Sequence, residues 1–135
     1  MAPDALRRVA SAHRIEDARE GRRRSDALRE RAAAHREEGR WLDAERVLQH
    51  AFVLAPTNPH VSRELAELYL ARGRAALALP WAERAARLRR RRPTYRLLVG
   101  DVLEALGRSG AARAAWREAL RLDPTHRAAR QRLRD

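Results

Sequence analysis

Five histidines, His13, His35, His50, His60 and His126, are the residues best suited to bind a metal or move a proton near neutral pH. No two of them stand three or four positions apart, the spacing that places both on one helical face. A metal site would need three distant histidines to converge. Cysteine is absent, which excludes thiolate nucleophiles, Cys-ligated metals and disulfides together. The neighbouring acids Glu16-Asp17 and Glu37-Glu38 point to different sides of a helix and read as solvated charges, not as an acid/base pair. Gly107-Arg108-Ser109-Gly110 has the Gly-x-x-Gly spacing of a phosphate cradle, but it joins two helical stretches and Ser109 has no histidine near it. The sequence therefore predicts no catalytic residue, no metal and no cofactor.

Arginine is the other reactive resource. All 30 basic residues are Arg, with no Lys, against 18 acidic residues, for a net charge of +12. A binding site seldom needs to ban Lys everywhere, so much of this bias reads as a GC-rich codon preference. The excess is nevertheless local: residues 59–92 carry nine arginines and three acids. Arg84, Arg87, Arg89, Arg90, Arg91 and Arg92 form the densest patch. Guanidinium forks match phosphate oxygens, so this patch is a candidate for anion or nucleic-acid binding. No aromatic residue interleaves with these arginines to stack a base, which favours a solvated outer face. Self-association is a third use of such a surface.

The elements that would position these groups follow from composition and period. The chain has 135 residues, room for about one domain. It holds 28 alanines and only six aromatic residues, a helix-forming composition with a thin apolar core. Gly39, Gly73 and Gly107 recur every 34 residues, each followed by Arg. The same step links Ala32, Ala66 and Gly100, then Ala44, Ala78 and Ala112, then Ala51, Ala85 and Ala119, and finally Leu54, Leu88 and Leu122. A fixed period of this length marks stacked repeats, here 25–58, 59–92 and 93–126. Within 93–126, apolar residues at helical spacing run from Leu97 to Leu106, stop at Gly107 and resume from Ala112 to Leu122.

Each repeat thus reads as two helices joined by a glycine turn. Ser25, Asn58, Ser109 and Thr125 are expected as helix N-caps, with Pro59 as a first helical residue. Residues 127–135 read as a capping helix with Ala128, Ala129 and Leu133 inward and its arginines outward. Residues 1–24 fall outside the period, as a basic extension that is either a capping helix or mobile, with Gly21-Arg22-Arg23-Arg24 read as a break. Pro80 should kink its helix or delay its start. The longest apolar runs are far shorter than the roughly 20 residues of a spanning helix. The N-terminus lacks the continuous apolar core of a secretory signal, so a cytoplasmic location is expected.

Gly100, Leu103, Gly107, Ala112, Trp116, Ala119, Leu120, Leu122, Asp123 and Pro124 together resemble the tetratricopeptide repeat. The second copy adds Leu65, Ala66, Tyr69, Gly73, Ala78 and Ala85. The resemblance covers 25–135 and implies an all-α, right-handed solenoid of helical hairpins, seven or eight helices in all. Departures from the pattern include Arg31 at a position usually apolar, His35 where Tyr is common, and Arg90 where the second copy should close with Pro.

The resemblance also implies a use: first helices line a concave groove that receives a segment of another protein. The lining would include Arg29, Ala33 and Arg36, then His60, Arg63, Glu67 and Leu70, then Thr94, Leu97, Asp101 and Glu104. Family members that clamp the C-terminal carboxylate of a chaperone use Lys, Asn and Arg at five slots. Those slots hold Arg29, Ala33, Glu64, Thr94 and Leu98 here, and only one suits the task. The sequence therefore points to a non-catalytic interaction module with a different protein partner.

Overall fold

The stretches with helical periodicity are helical in a computed structural model, which describes residues 2–135. The helices are α1 (Pro3–Glu37), α2 (Trp41–Leu54), α3 (Pro59–Ala71), α4 (Ala75–Leu88), α5 (Pro93–Ala105), α6 (Ser109–Leu122) and α7 (Arg127–Arg134). These seven account for all regular structure among the described residues, and no strand is present among them. The chain forms two compact units, Met1–Asn58 and Pro59–Asp135. In the first, α1 packs against α2. In the second, the hairpins α3–α4 and α5–α6 stack on one another and α7 packs on α6.

The 34-residue period has its physical origin in the turns. Gly39, Gly73 and Gly107 have φ of 73°, 71° and 77°, the left-handed region that a side chain disfavours. In each turn the glycine N–H donates to a carbonyl three residues back, of Arg36, Leu70 or Glu104. The following arginine N–H donates five residues back, to His35, Tyr69 or Leu103. This pair of bonds is a Schellman closure, which satisfies carbonyls that the helix end leaves open. Space around each glycine is open, so substitution is opposed by backbone conformation alone. Gly39→Ala, Gly73→Ala and Gly107→Ala should each cost about 1–2 kcal/mol in chemical denaturation.

Small residues sit where helices approach. Ala32, Ala44, Ala66, Ala78 and Ala112 are all essentially inaccessible to solvent. In the second unit, Leu97, Leu103, Ala112, Trp116, Ala119 and Ala129 form a continuous cluster from α5 through α6 to α7. Gly100 is part of that fit. A Cβ there would lie 2.4 Å from Trp116 Nε1, so the indole occupies the space that Ala32 and Ala66 fill with a methyl in the other first helices.

Several local expectations are corrected. The helix runs through Gly21-Arg22-Arg23-Arg24 without interruption, so residues 3–24 are the beginning of α1. Gly21 is a contact position: a Cβ would lie 2.5 Å from the Leu54 carbonyl oxygen, and only glycine lets α1 come so near the end of α2. Ser25 caps nothing, because it is buried in mid-helix, where Asn58 Nδ2 donates to its Oγ at 3.2 Å. Ser109 is the first residue of α6, and its hydroxyl turns back to Glu104. His126, not Thr125, caps α7, with Nδ1 accepting from the Ala129 N–H at 3.3 Å. Thr125 instead donates twice to Asp123 Oδ1 and tightens the preceding turn. Pro59 opens α3 as expected. Helix α4 begins on schedule at Ala75 and continues through Pro80, which is exposed.

Candidate functional site

In the second unit the first helices of the two hairpins, α3 and α5, present the residues proposed for recognition. On α3, His60, Arg63, Glu67 and Leu70 are all half-buried. Arg63 is held along the helix surface by Glu67, Nη1 to Oε1 at 3.2 Å, and by Glu64 at 3.5 Å. Such i, i+4 pairs contribute only a few tenths of a kcal/mol, so their value here is orientation. On α5, Thr94 and Glu104 are exposed. Leu97 belongs to the core, at 9% exposure, and offers a partner little surface. Leu98, at a carboxylate-clamp slot, is 8% exposed.

Asp101 is already committed within the chain. Its Oδ1 accepts from Trp116 Nε1 at 3.1 Å, and Arg132 of α7 grips both carboxylate oxygens, with Nη2 at 3.0 Å from Oδ2. The hydrogen bond from Arg132 to Asp101 holds the guanidinium above its ordinary pKa, outweighing partial burial. Arg113 Nη2 donates to the Leu133 carbonyl at 3.2 Å. Together these groups wall a cleft of about 540 Å³ with Glu104, Ser109 and Asp135 at its edge. That volume lies in the range of ligand clefts. Its two arginines are engaged, which leaves the carboxylates of Glu104 and Asp135 as its exposed charge.

The cleft contains residues that sequence reasoning did not single out, Arg113, Arg132 and Asp135. The expectation that every arginine of the capping helix faces outward is corrected, because Arg132 turns inward to Asp101. Asp101 lacks a partner at helical spacing, and its partner lies 31 residues away, so only the stacking of α7 reveals the pair.

In the first unit, Arg29 is half-buried and its Nη1 donates to Asp26 Oδ1 at 3.0 Å, while Asn58 Nδ2 reaches the same oxygen at 2.9 Å. Ala33 is exposed and Arg36 half-buried on the same helix. Partial burial raises the Asp26 carboxyl, but hydrogen bonds from Asn58 and Arg29, with the charges of Arg22 and Arg29, outweigh it and hold the group below its ordinary value. A depressed folded pKa stabilises the fold above the unfolded value, about 3.9, and that contribution disappears as pH falls through the folded value. Acid titration of thermal stability should therefore show a steeper loss below about pH 4 for wild type than for Asp26→Asn.

The arginine patch lies on the second hairpin and the turn after it. Arg84 is half-buried, Arg87 sits 4.0 Å from Glu83, and Arg89 Nη1 donates to the Leu88 carbonyl. Arg89, Arg90, Arg91 and Arg92 are exposed around a shallow hollow of about 330 Å³. Among the described residues no group of three His, Asp or Glu is placed to hold a metal ion. None of their helices is long and apolar enough to cross a membrane.

Comparison with known proteins agrees with this geometry. The solved first TPR of Spaghetti (RPAP3) bound to the HSP90 peptide SRMEEVD superposes with a TM-score of 0.78 at 21% identity, over 84% of this chain and 90% of that one. The Arabidopsis OM64 TPR domain gives 0.77 at 22% identity, over 84% and 94%. The second TPR domain of human RPAP3, in complex with an HSP70 peptide, gives 0.79 at 18% identity, over 84% and 95%. Likeness at these identities speaks for the fold alone. No match is found among curated proteins. The profile of the family described as Tetratricopeptide repeat matches residues 35–102, half of the sequence, and spans both glycine turns at Gly39 and Gly73. With its positive-φ glycines, small-residue slots and stacked hairpins at the family's period, the chain belongs to the tetratricopeptide repeat family.

Proposed function

We propose that the protein is a non-catalytic interaction module that docks a segment of another polypeptide on the α3–α5 face of its second unit. The observation that carries this reading is the row His60, Arg63, Glu67 and Leu70 beside Thr94 and Glu104. These side chains are exposed or half-buried on the first helices of their hairpins, in a fold whose solved examples include two bound to peptides. Leu70 supplies apolar contact, while Arg63 and Glu67 supply charges of both signs that orient the encounter. The commitment of Asp101 to Arg132 and the burial of Leu97 shift the contact toward α3 and the outer edge of α5. In the first unit the corresponding proposal rests on Arg29, Ala33 and Arg36 of α1.

The partner differs from the HSP90 and HSP70 peptides bound by the RPAP3 domains. Ala33, Glu64, Thr94 and Leu98 at the clamp slots supply no cation for a terminal carboxylate, so the peptide SRMEEVD should show no saturable binding in a fluorescence titration. The module itself is tested by affinity capture with wild type and with Arg29→Glu and Arg63→Glu variants, made singly. Loss of the same partner from either variant supports the reading, and equal recovery by all three proteins counts against it.

The exposed loop Arg89–Arg92 supports a second reading, binding of nucleic acid or another anion. Contacts to phosphate are strongest at low salt. A mobility shift at about 50 mM salt that vanishes in an Arg90→Ser, Arg91→Ser, Arg92→Ser variant would support it, and no shift under those conditions removes it.

A further inference from the structure

The first eighteen residues of α1, 3–20, extend past the end of α2, and of these only Ile15, Ala18 and Arg19 line a cleft beside residues 54–57. Gly21 packs against the Leu54 carbonyl, and every residue from Leu6 to Glu20 is exposed. This arm is about 27 Å long. It carries three large aliphatic side chains in the open: Leu6 at 54% exposure, Val9 at 46% and Ile15 at 53%. An unsupported helix of this length is marginal in water, and exposed aliphatic groups make the solvated state costlier. Leu6, Val9, Ala12 and Ile15 are spaced by three, so they form one inclined ridge of the kind that packs into a neighbouring helix. The ridge ends at a cleft of about 430 Å³ at the root of the arm, lined by Ile15 and Ala18 on one side and by Leu54, Ala55 and Pro56 on the other.

We propose that this arm is a dimerisation element that pairs antiparallel with the arm of a second copy of the chain, about a two-fold axis near Ala12. The register follows from the ridge and the charges. With the axis at Ala12, the smallest ridge residue meets its own copy, where two helices must come closest. Val9 then faces the partner's Ile15, and Leu6 reaches the partner's Ala18, where the root cleft opens to receive it. The same register sets Arg8 opposite the partner's Glu16, twice over by symmetry. Arg8 and Glu16 stand eight residues apart, about 12 Å along one helix, so they cannot satisfy each other within a chain. A parallel pairing would set Arg8 against Arg8 and Glu16 against Glu16, which like-charge repulsion disfavours. The occupant of the exposed ridge and of the cleft beside it is therefore a second copy, oriented by charge.

Sedimentation equilibrium of the full chain over a wide concentration range tests this. Wild type should show a reversible monomer–dimer equilibrium, and Arg8→Glu and Glu16→Arg should each weaken it at least about tenfold. Mixing those two variants should restore dimers. The carboxylate introduced at position 8 of one chain then meets the guanidinium introduced at position 16 of the other, and the native Arg8 and Glu16 meet on the opposite side of the axis. The double variant should likewise recover. Circular dichroism of each variant checks that the helices persist. A chain that stays monomeric at every concentration overturns the proposal. So does a dimer indifferent to Arg8→Glu, or one whose loss in the single variants is not rescued by mixing.

Discussion

Trp116→Ala should lower the stability of the second unit by about 3–5 kcal/mol, measured by chemical denaturation. The indole is 6% exposed and fills the space beside Gly100 that no side chain of α5 occupies. Its Nε1–H also supplies one of the bonds that hold Asp101 in place for Arg132. Truncation therefore opens a cavity between α5 and α6 and loosens the seat of α7 at once. The reciprocal change is informative: Gly100→Ala drives a methyl into the indole and should cost about 1–3 kcal/mol. Combining Gly100→Ala with Trp116→Leu should cost less than the sum of the single changes, because the two sites share one space. An additive result would mean that Gly100 and Trp116 do not pack as described.

Leu48→Ala carries the next largest effect, about 2–5 kcal/mol on the first unit. Leu48 is wholly buried on α2, with Ala44 and Ala51 on the same face and Ala32 buried on α1. Among the described residues of that unit it is the only large aliphatic side chain that is fully inaccessible, so the α1–α2 contact depends on it more than on any neighbour. Leu48→Met keeps the volume and should cost under about 1.5 kcal/mol. Denaturation of the two variants side by side separates loss of volume from change of shape. Equal stability of Leu48→Ala and wild type would contradict the packing of α1 on α2.

The turns and the packing slots were legible in the sequence for a physical reason. A left-handed turn tolerates few residues besides glycine, and a close helix crossing admits only small ones, so Gly39, Gly73 and Gly107 and the Ala32, Ala66, Gly100 series left marks at a fixed step. The candidate site was legible only in part. Helical spacing could place Arg63, Glu67 and Leu70 on one helix, but it carried no information on which carboxylates the chain would spend on itself. Asp101 reads as a free acid until α7 brings Arg132 to it across 31 residues. Leu97 reads as groove lining until the fold buries it in the cluster that also holds Trp116 and Ala129. Gly21 misled in the opposite direction. A glycine followed by three arginines has the composition of a break, yet its lack of a Cβ serves a helix contact with Leu54, and the helix continues. Ser25 likewise has the chemistry of a cap, and its hydroxyl is used by Asn58, 33 positions away.

The α3–α5 docking face can be tested by site-specific photocrosslinking. A photoreactive side chain placed at Glu67 or Glu104 should capture the partner segment on illumination, while the same group at Arg90 should not, since Arg90 lies on the loop between hairpins. Crosslinks from Arg90 with none from Glu67 or Glu104 would contradict the assignment of the binding face.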